Sequence, residues 1–185
     1  KKKLGILFED GKAMEIRCYE ADSILGNVYR ARVSNLSPNI NAAFVDIKKG
    51  EGCYLSMDDY HGEKLKVGDL VTVQVVRDKI KTKRYAVTTD ISLQGDYAVT
   101  TLFAPVGVSS KITDSARKKE LKTLMQNLLI AEQDAQFYLA EGNVAEIERI
   151  KKLTLGGIIR TQAEHAEDAA ITREIEGQAR LLYSI

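Results

Sequence analysis

Apolar positions in the first half of the chain alternate in short runs. Residues 4–8 and 13–19 flank Glu9-Asp10-Gly11-Lys12 and read as a hairpin, since Asp-Gly between two strand-like runs is a turn signal. Further runs at 28–36, 42–47, 52–55, 70–77 and 85–91 are strand-like. Pro38-Asn39 breaks the first of them, and a polar stretch, 57–67, follows the third. Five short strands over some sixty residues, separated by turns, predict a small barrel rather than alternating strands and helices.

After Leu93 the period changes. Residues 96–102 still look extended, but Leu121, Leu124, Met125, Leu128 and Leu129 fall at helical spacing behind Thr113 or Asp114 as a cap. The charged, Ala-rich stretch 131–152 reads as two short helices with a break at Gly142-Asn143. Residues 156–161 read as a short buried strand ending in Arg160-Thr161. Residues 163–182 read as a last helix with Ala170, Ile171, Ile175 and Leu182 inside. The expected class is α+β: a five-stranded barrel over 22–86, then a smaller α+β unit over 87–185, with the leading hairpin, 1–21, apart from both.

Composition adds limits. The 185 residues are 44% hydrophobic, enough for a packed core, and carry 27 Lys+Arg against 26 Asp+Glu. A formal charge of +1 does not announce nucleic-acid binding, so that case rests on a local patch. No apolar run approaches a membrane span, and Lys1-Lys2-Lys3 lacks the apolar middle of a signal peptide. Cys18 and Cys53 are not spaced as a metal pair and read as buried thiols. The expectation is a cytoplasmic chain with no membrane partner.

Two constellations carry chemistry. Phe44 and Tyr54 lie on successive strands near Arg77, Lys79, Lys81, Lys83 and Arg84, with Asp78 as the opposing charge. Exposed rings beside such cations suit single-stranded nucleic acid, whose bases stack while its phosphates meet the charges. The same residues also suit a core Phe, a half-buried Tyr and a solvated basic turn. The second is Arg160-Thr161, with Gly95 and Lys111 elsewhere in the unit. A guanidinium fork, a hydroxyl and a glycine N–H can together hold a terminal phosphate, although an ordinary surface arginine fits too. His61 and His165 read as solvated, and Asp58-Asp59 as loop acids facing water. No hydrolase triad, phosphate loop or zinc spacing is present.

The segments Gly26-Asn27-Val28-Tyr29-Arg30-Ala31-Arg32-Val33 and Ala42-Ala43-Phe44-Val45-Asp46-Ile47 resemble the oligonucleotide-binding (OB) barrel of the ribonuclease E/G family. Residues 88–99, residues 106–112 and Gly157-Ile158-Ile159-Arg160-Thr161 resemble, in the family's order, its sensor for RNA 5′ ends. The resemblance implies RNA contacts at Phe44, Tyr54, Lys83 and Arg84. It implies a 5′-monophosphate site at Gly95, Val99, Lys111, Arg160 and Thr161, with Ser110 where an arginine is familiar. Residues 131–155 look like a helical insertion.

The implied function is binding of single-stranded, preferably 5′-monophosphorylated RNA, as the front of an endoribonuclease acting in RNA processing or decay. The family's magnesium-dependent cutting domain and its zinc-binding, assembly-forming cysteine pair are expected outside this chain. No cofactor is therefore expected here, and a homo-oligomer only for the longer parent. The leading hairpin resembles part of a ribonuclease-H-like domain, and the chain reads as a shortened piece of the parent or a natural short form. The alternatives are a non-catalytic interaction or assembly module and a general RNA-binding protein.

Overall fold

The computed structural model describes residues 2–9, 12–20, 23–80 and 82–185, with side chains from Ser23 onward. It divides into two compact units, residues 1–57 with 64–88, and residues 58–63 with 89–185. Strands β1 (Lys2–Glu9) and β2 (Lys12–Glu20) pair antiparallel as a sheet of their own, Ile6 opposite Ile16. The Asp10-Gly11 turn and the Cys18 thiol lie outside the described residues and side chains.

The barrel comprises β3 (Val28–Ser37), β4 (Ala42–Lys48), β5 (Glu51–Ser56), β6 (Leu70–Arg77) and β7 (Ala86–Thr88), closed in the order β3-β4-β5-β7-β6. Neighbours are antiparallel except β5 and β7. Alternation decides the lining. Ala31, Val33, Ala43, Val45, Cys53, Leu55, Val73 and Val75 fill the interior, and the residues between them face outward. This is the small five-stranded barrel that the strand pattern predicted, of the OB type that the resemblance implied.

The strand expected over 85–91 is shorter, Ala86–Thr88. Beyond it the chain enters the second unit, where the Thr89 hydroxyl donates to the Asp59 carbonyl and Ile91 is buried.

That second unit is a four-stranded sheet, order β10-β11-β9-β8, from β8 (Ser92–Gln94), β9 (Ala98–Leu102), β10 (Val106–Val108) and β11 (Leu155–Ile159). Only β10 and β11 run parallel. Helices α1 (Ser115–Leu139), α2 (Val144–Lys152) and α3 (Asp168–Ser184) supply its core, where Leu121, Met125, Leu129, Ile150, Ile171 and Ile175 meet Ala98 and Ile159.

Asp114 caps α1, accepting from the Ala116 and Arg117 amides at 2.9 and 3.1 Å. The expected pair of short helices over 131–152 is corrected: α1 runs unbroken to Leu139, and α2 alone follows. No Gly or Pro interrupts 131–139, and buried Glu132 is held by two bonds from Arg180 of α3, at 3.0 and 2.9 Å, so the helix keeps packing across a polar stretch.

The Gln133 side-chain amide donates to the carbonyls of Ile150 and Leu153, each at 3.2 Å, and ties the return from α2 to α1 just before β11. Beyond that tie, Tyr138, Leu139 and Val144 are largely exposed.

The last helix starts at Asp168 and not at residue 163, because Thr161–His165 form a 3-10 turn that buries Ala163. Ala170 is half-buried, whereas Ile171, Ile175 and Leu182 are inside.

At Gly157, in the middle strand of the sheet, φ is +146°, and an added Cβ would lie 1.9 Å from the Val99 carbonyl oxygen. Only glycine fits there.

Candidate nucleic-acid interface

On the barrel, β-sheet parity sets the first site. Ala43, Val45, Cys53 and Leu55 point inward, so Phe44 and Tyr54 point out. They are directly paired across β4 and β5, half-buried, with ring centroids 6.3 Å apart at 73°. Phe44 is therefore not a core residue.

The Arg84 guanidinium lies 5.0 Å from the Phe44 ring centroid, a cation–π contact. It passes over Gly52, where a Cβ would sit 2.5 Å from Arg84 Nη1. The bare glycine thus leaves the cation its place beside the ring. Lys83 is exposed next to Arg84 in the chain, its backbone paired with Ile80. Arg77 and Lys79 are exposed as well, Lys79 reaching Glu51 at 3.8 Å; Lys81 lies outside the described residues. Beneath the rings, burial, then Glu51 and Asp46, push the Cys53 thiol up to about 11.

In the second unit, Arg160 stands at the end of β11. Its backbone N–H donates to the Tyr97 carbonyl at 2.7 Å and its Nη1 to the Gly95 carbonyl at 2.5 Å. The Gly95 N–H is itself used in the β8–β9 turn, donating to Ala98 at 2.8 Å, so Gly95 meets Arg160 through its carbonyl.

Thr161 and Ser109 hydroxyls lie 3.0 Å apart, and Ser109 Oγ accepts the Lys111 N–H at 3.3 Å. Either hydroxyl can donate to the other, because Ser109 Oγ keeps a second lone pair after accepting the Lys111 N–H. Arg160, Thr161, Ser109, Ser110 and Lys111 line one open concavity of about 610 Å³. Val99 is paired with Ile158 across β9 and β11, and half-exposed Ile158 lines the concavity too.

The residues that sequence reasoning missed are Ser109 and Glu174. The Glu174 carboxylate accepts the amides of Asp96, Tyr97 and Ala98 at 2.8, 2.9 and 2.8 Å. A signal was present: Glu174 and Gln178, four apart, interrupt the apolar face of the last helix beside Ile171, Ile175 and Ala179.

His61 is exposed, as its solvated reading had it, yet it has partners. Its Nε2 lies 2.8 Å from an Asp90 carboxylate oxygen, and its ring packs 4.8 Å from that of Phe103. Burial raises the Asp90 carboxyl above its ordinary range, against the lowering effect of His61. His165 stays exposed, 4.0 Å from Glu164. Asp58 and Asp59 lie in a 3-10 turn, Met57–Asp59. Among the described residues, no three His, Cys, Asp or Glu side chains gather as metal ligands. No helix among them is long and apolar enough to cross a membrane.

The model of the ribonuclease E/G family matches residues 92–185. Ribonuclease G of Escherichia coli strain K12 is 33% identical over a match covering 55% of this chain and 25% of that protein. Ribonuclease G of Haemophilus influenzae is 31% identical, covering 56% and 25%. Ribonuclease E of Buchnera aphidicola from Acyrthosiphon pisum is 28% identical, covering 68% and 16%. The chain thus spans a quarter or less of the length of these relatives. With more than half of its residues matched by the family model, the chain belongs to the ribonuclease E/G family.

Proposed function

We propose that the chain binds single-stranded RNA and senses a 5′-monophosphate, as the RNA-holding part of an endoribonuclease that acts in RNA processing or decay. The observation that carries the sensing role is the arrangement of Arg160 and Thr161. Each is anchored by one hydrogen bond, to the Gly95 carbonyl and to Ser109, beside the same open concavity as Lys111. A guanidinium held by one of its donors still offers the rest of its fork to phosphate oxygens, and Thr161 adds a hydroxyl. Val99 and Ile158 give an apolar step for the first nucleotide. On the barrel, Phe44 and Tyr54 are the stacking platform, with Arg84 and Lys83 for the backbone. In the parent enzyme these contacts position RNA for a magnesium-dependent cut made outside this chain.

Fluorescence anisotropy with one short RNA, carrying either a 5′-monophosphate or a 5′-hydroxyl, tests this at a fixed salt concentration. The monophosphate form should bind roughly 10–100-fold tighter, the range of charge-assisted hydrogen bonds, and Arg160→Ala should remove that preference. Equal binding of both ends by the unaltered chain overturns the sensing role. The exposed Tyr138, Leu139 and Val144 at the α1–α2 tip favour one second reading, a protein-interaction module. Absence of binding to either RNA would favour it.

A further inference from the structure

Arg160 is held at both ends by the β8–β9 turn, its backbone N–H on Tyr97 and its guanidinium on Gly95. Whatever fixes that turn therefore fixes the aim of the guanidinium. The turn has one hairpin bond of its own, from the Gly95 N–H to Ala98. The three amides that follow Gly95 are all taken by a single carboxylate more than seventy residues away, that of Glu174.

We propose that Glu174 is a positioning residue of the phosphate concavity: by clasping the amides of Asp96, Tyr97 and Ala98, it sets the Gly95 carbonyl that orients Arg160.

Several features make the clasp rigid. Glu174 sits on α3 beside Ile171 and Ile175, both fully buried, so the helix cannot shift without disturbing the core. One turn further along, Gln178 accepts from the Thr100 hydroxyl at 2.6 Å and donates to the Ala98 carbonyl at 3.3 Å, which sets the register between α3 and β9. Gly95 is the residue that lets the carboxylate in, because a Cβ there would lie 2.3 Å from the Glu174 carboxyl carbon. Oε1 takes two amides and Oε2 the third, a set of charge-assisted bonds that a neutral amide cannot reproduce, since one of its two ends is a donor.

A carboxylate close to a phosphate pocket has a second physical effect, and its sign is opposite. If Glu174 acted only as a nearby negative charge, its neutralisation would strengthen phosphate binding. If it positions Arg160, neutralisation weakens phosphate binding. Glu174→Gln preserves size and separates the two.

This inference rests on the sensing role proposed above, and the experiment keeps the two apart. Anisotropy with the 5′-monophosphate and 5′-hydroxyl RNAs is measured for the unaltered chain, Glu174→Gln, Gly95→Ala and Arg180→Ala. In the same proteins without RNA, the Arg160 Nε–Hε resonance is followed by NMR. Glu174→Gln should lower the monophosphate preference about tenfold, a change on the scale of one charge-assisted bond, and shift the Arg160 resonance, with 5′-hydroxyl binding unchanged. Gly95→Ala pushes the carboxylate off the amides from the other side and should do the same. Arg180→Ala breaks the ion pair of α3 with Glu132, away from the turn, and should change neither readout, which separates positioning from general loosening of the helix.

A preference that is intact or larger in Glu174→Gln overturns the proposal. Should the unaltered chain show no preference at all, the sensing role fails. The resonance then decides the positioning: an Arg160 signal unmoved by Glu174→Gln and Gly95→Ala overturns it.

Discussion

The barrel face and the Arg160 concavity are built in opposite ways. On the barrel, the two rings are partners across adjacent strands, and Arg84 reaches them over a glycine of the same sheet. Its chemistry is a surface of π-faces and cations, which on the proposed reading suits any base. In the second unit, Arg160 takes its aim from a turn 65 residues earlier, and Thr161 from a serine 52 residues earlier. Such a site is specific because its polar groups are already committed to one geometry, and it is fragile for the same reason. Strand pairing yields a platform, whereas long-range clasps yield a fixed geometry, which on the proposed reading suits one chemical group.

The strongest way to break this contrast is Gly157→Ala. The new Cβ would meet the Val99 carbonyl and the Met125 side chain, at a backbone angle that disfavours any Cβ. A loss of about 3 kcal/mol or more is expected in the second unit. Hydrogen exchange should report that sheet opening while the amides of β3 to β6 stay protected; equal loss in both units would contradict it.

Next in size, Phe44→Ala should weaken binding by about 1–3 kcal/mol, and equally for RNAs with either 5′ end. A selective loss for the monophosphate form would erase the distinction between the two regions. Smaller again, replacing Lys83 and Arg84 together by Ala should reduce the slope of log affinity against log salt by about 1.4, two contacts at ~0.7 each for a single strand. An unchanged slope would remove both cations from the phosphate path.

The smallest effect concerns Cys53, which supports the ring platform from within. Alkylation at about pH 8, read by peptide mass at Cys53, should label the denatured chain and spare the folded one. Because burial raises this thiol from 9.0 to about 11, the unfolded chain ionises first, and stability should fall as pH rises through that interval.

Sequence alone showed the strands of the barrel well, because period-two alternation is local. It could not settle whether Phe44 was core, since that needs the neighbouring strand's register. In the second unit, β8 and β10 are three residues each, too short to show a period. The full length of α1 is hidden in the sequence because the stretch from 131 is charged and Ala-rich, while the partner that makes Glu132 acceptable, Arg180, is 48 residues away. The Arg160-Thr161 pair was visible as a motif. Its anchors, the Gly95 carbonyl and Ser109, were not, because a motif names side chains and a backbone oxygen leaves no letter in the sequence.

The Gln133 tie on Ile150 and Leu153 has an engineering consequence. It closes the α1–α2 excursion before β11 begins, so the length of chain beyond it has little leverage on the middle strand of the sheet. Loop-closure cost grows only slowly with added residues. Residues 140–143 are therefore a permissive splice point, where a peptide tag or a surface tether can be inserted while the strand that carries Arg160 keeps its register.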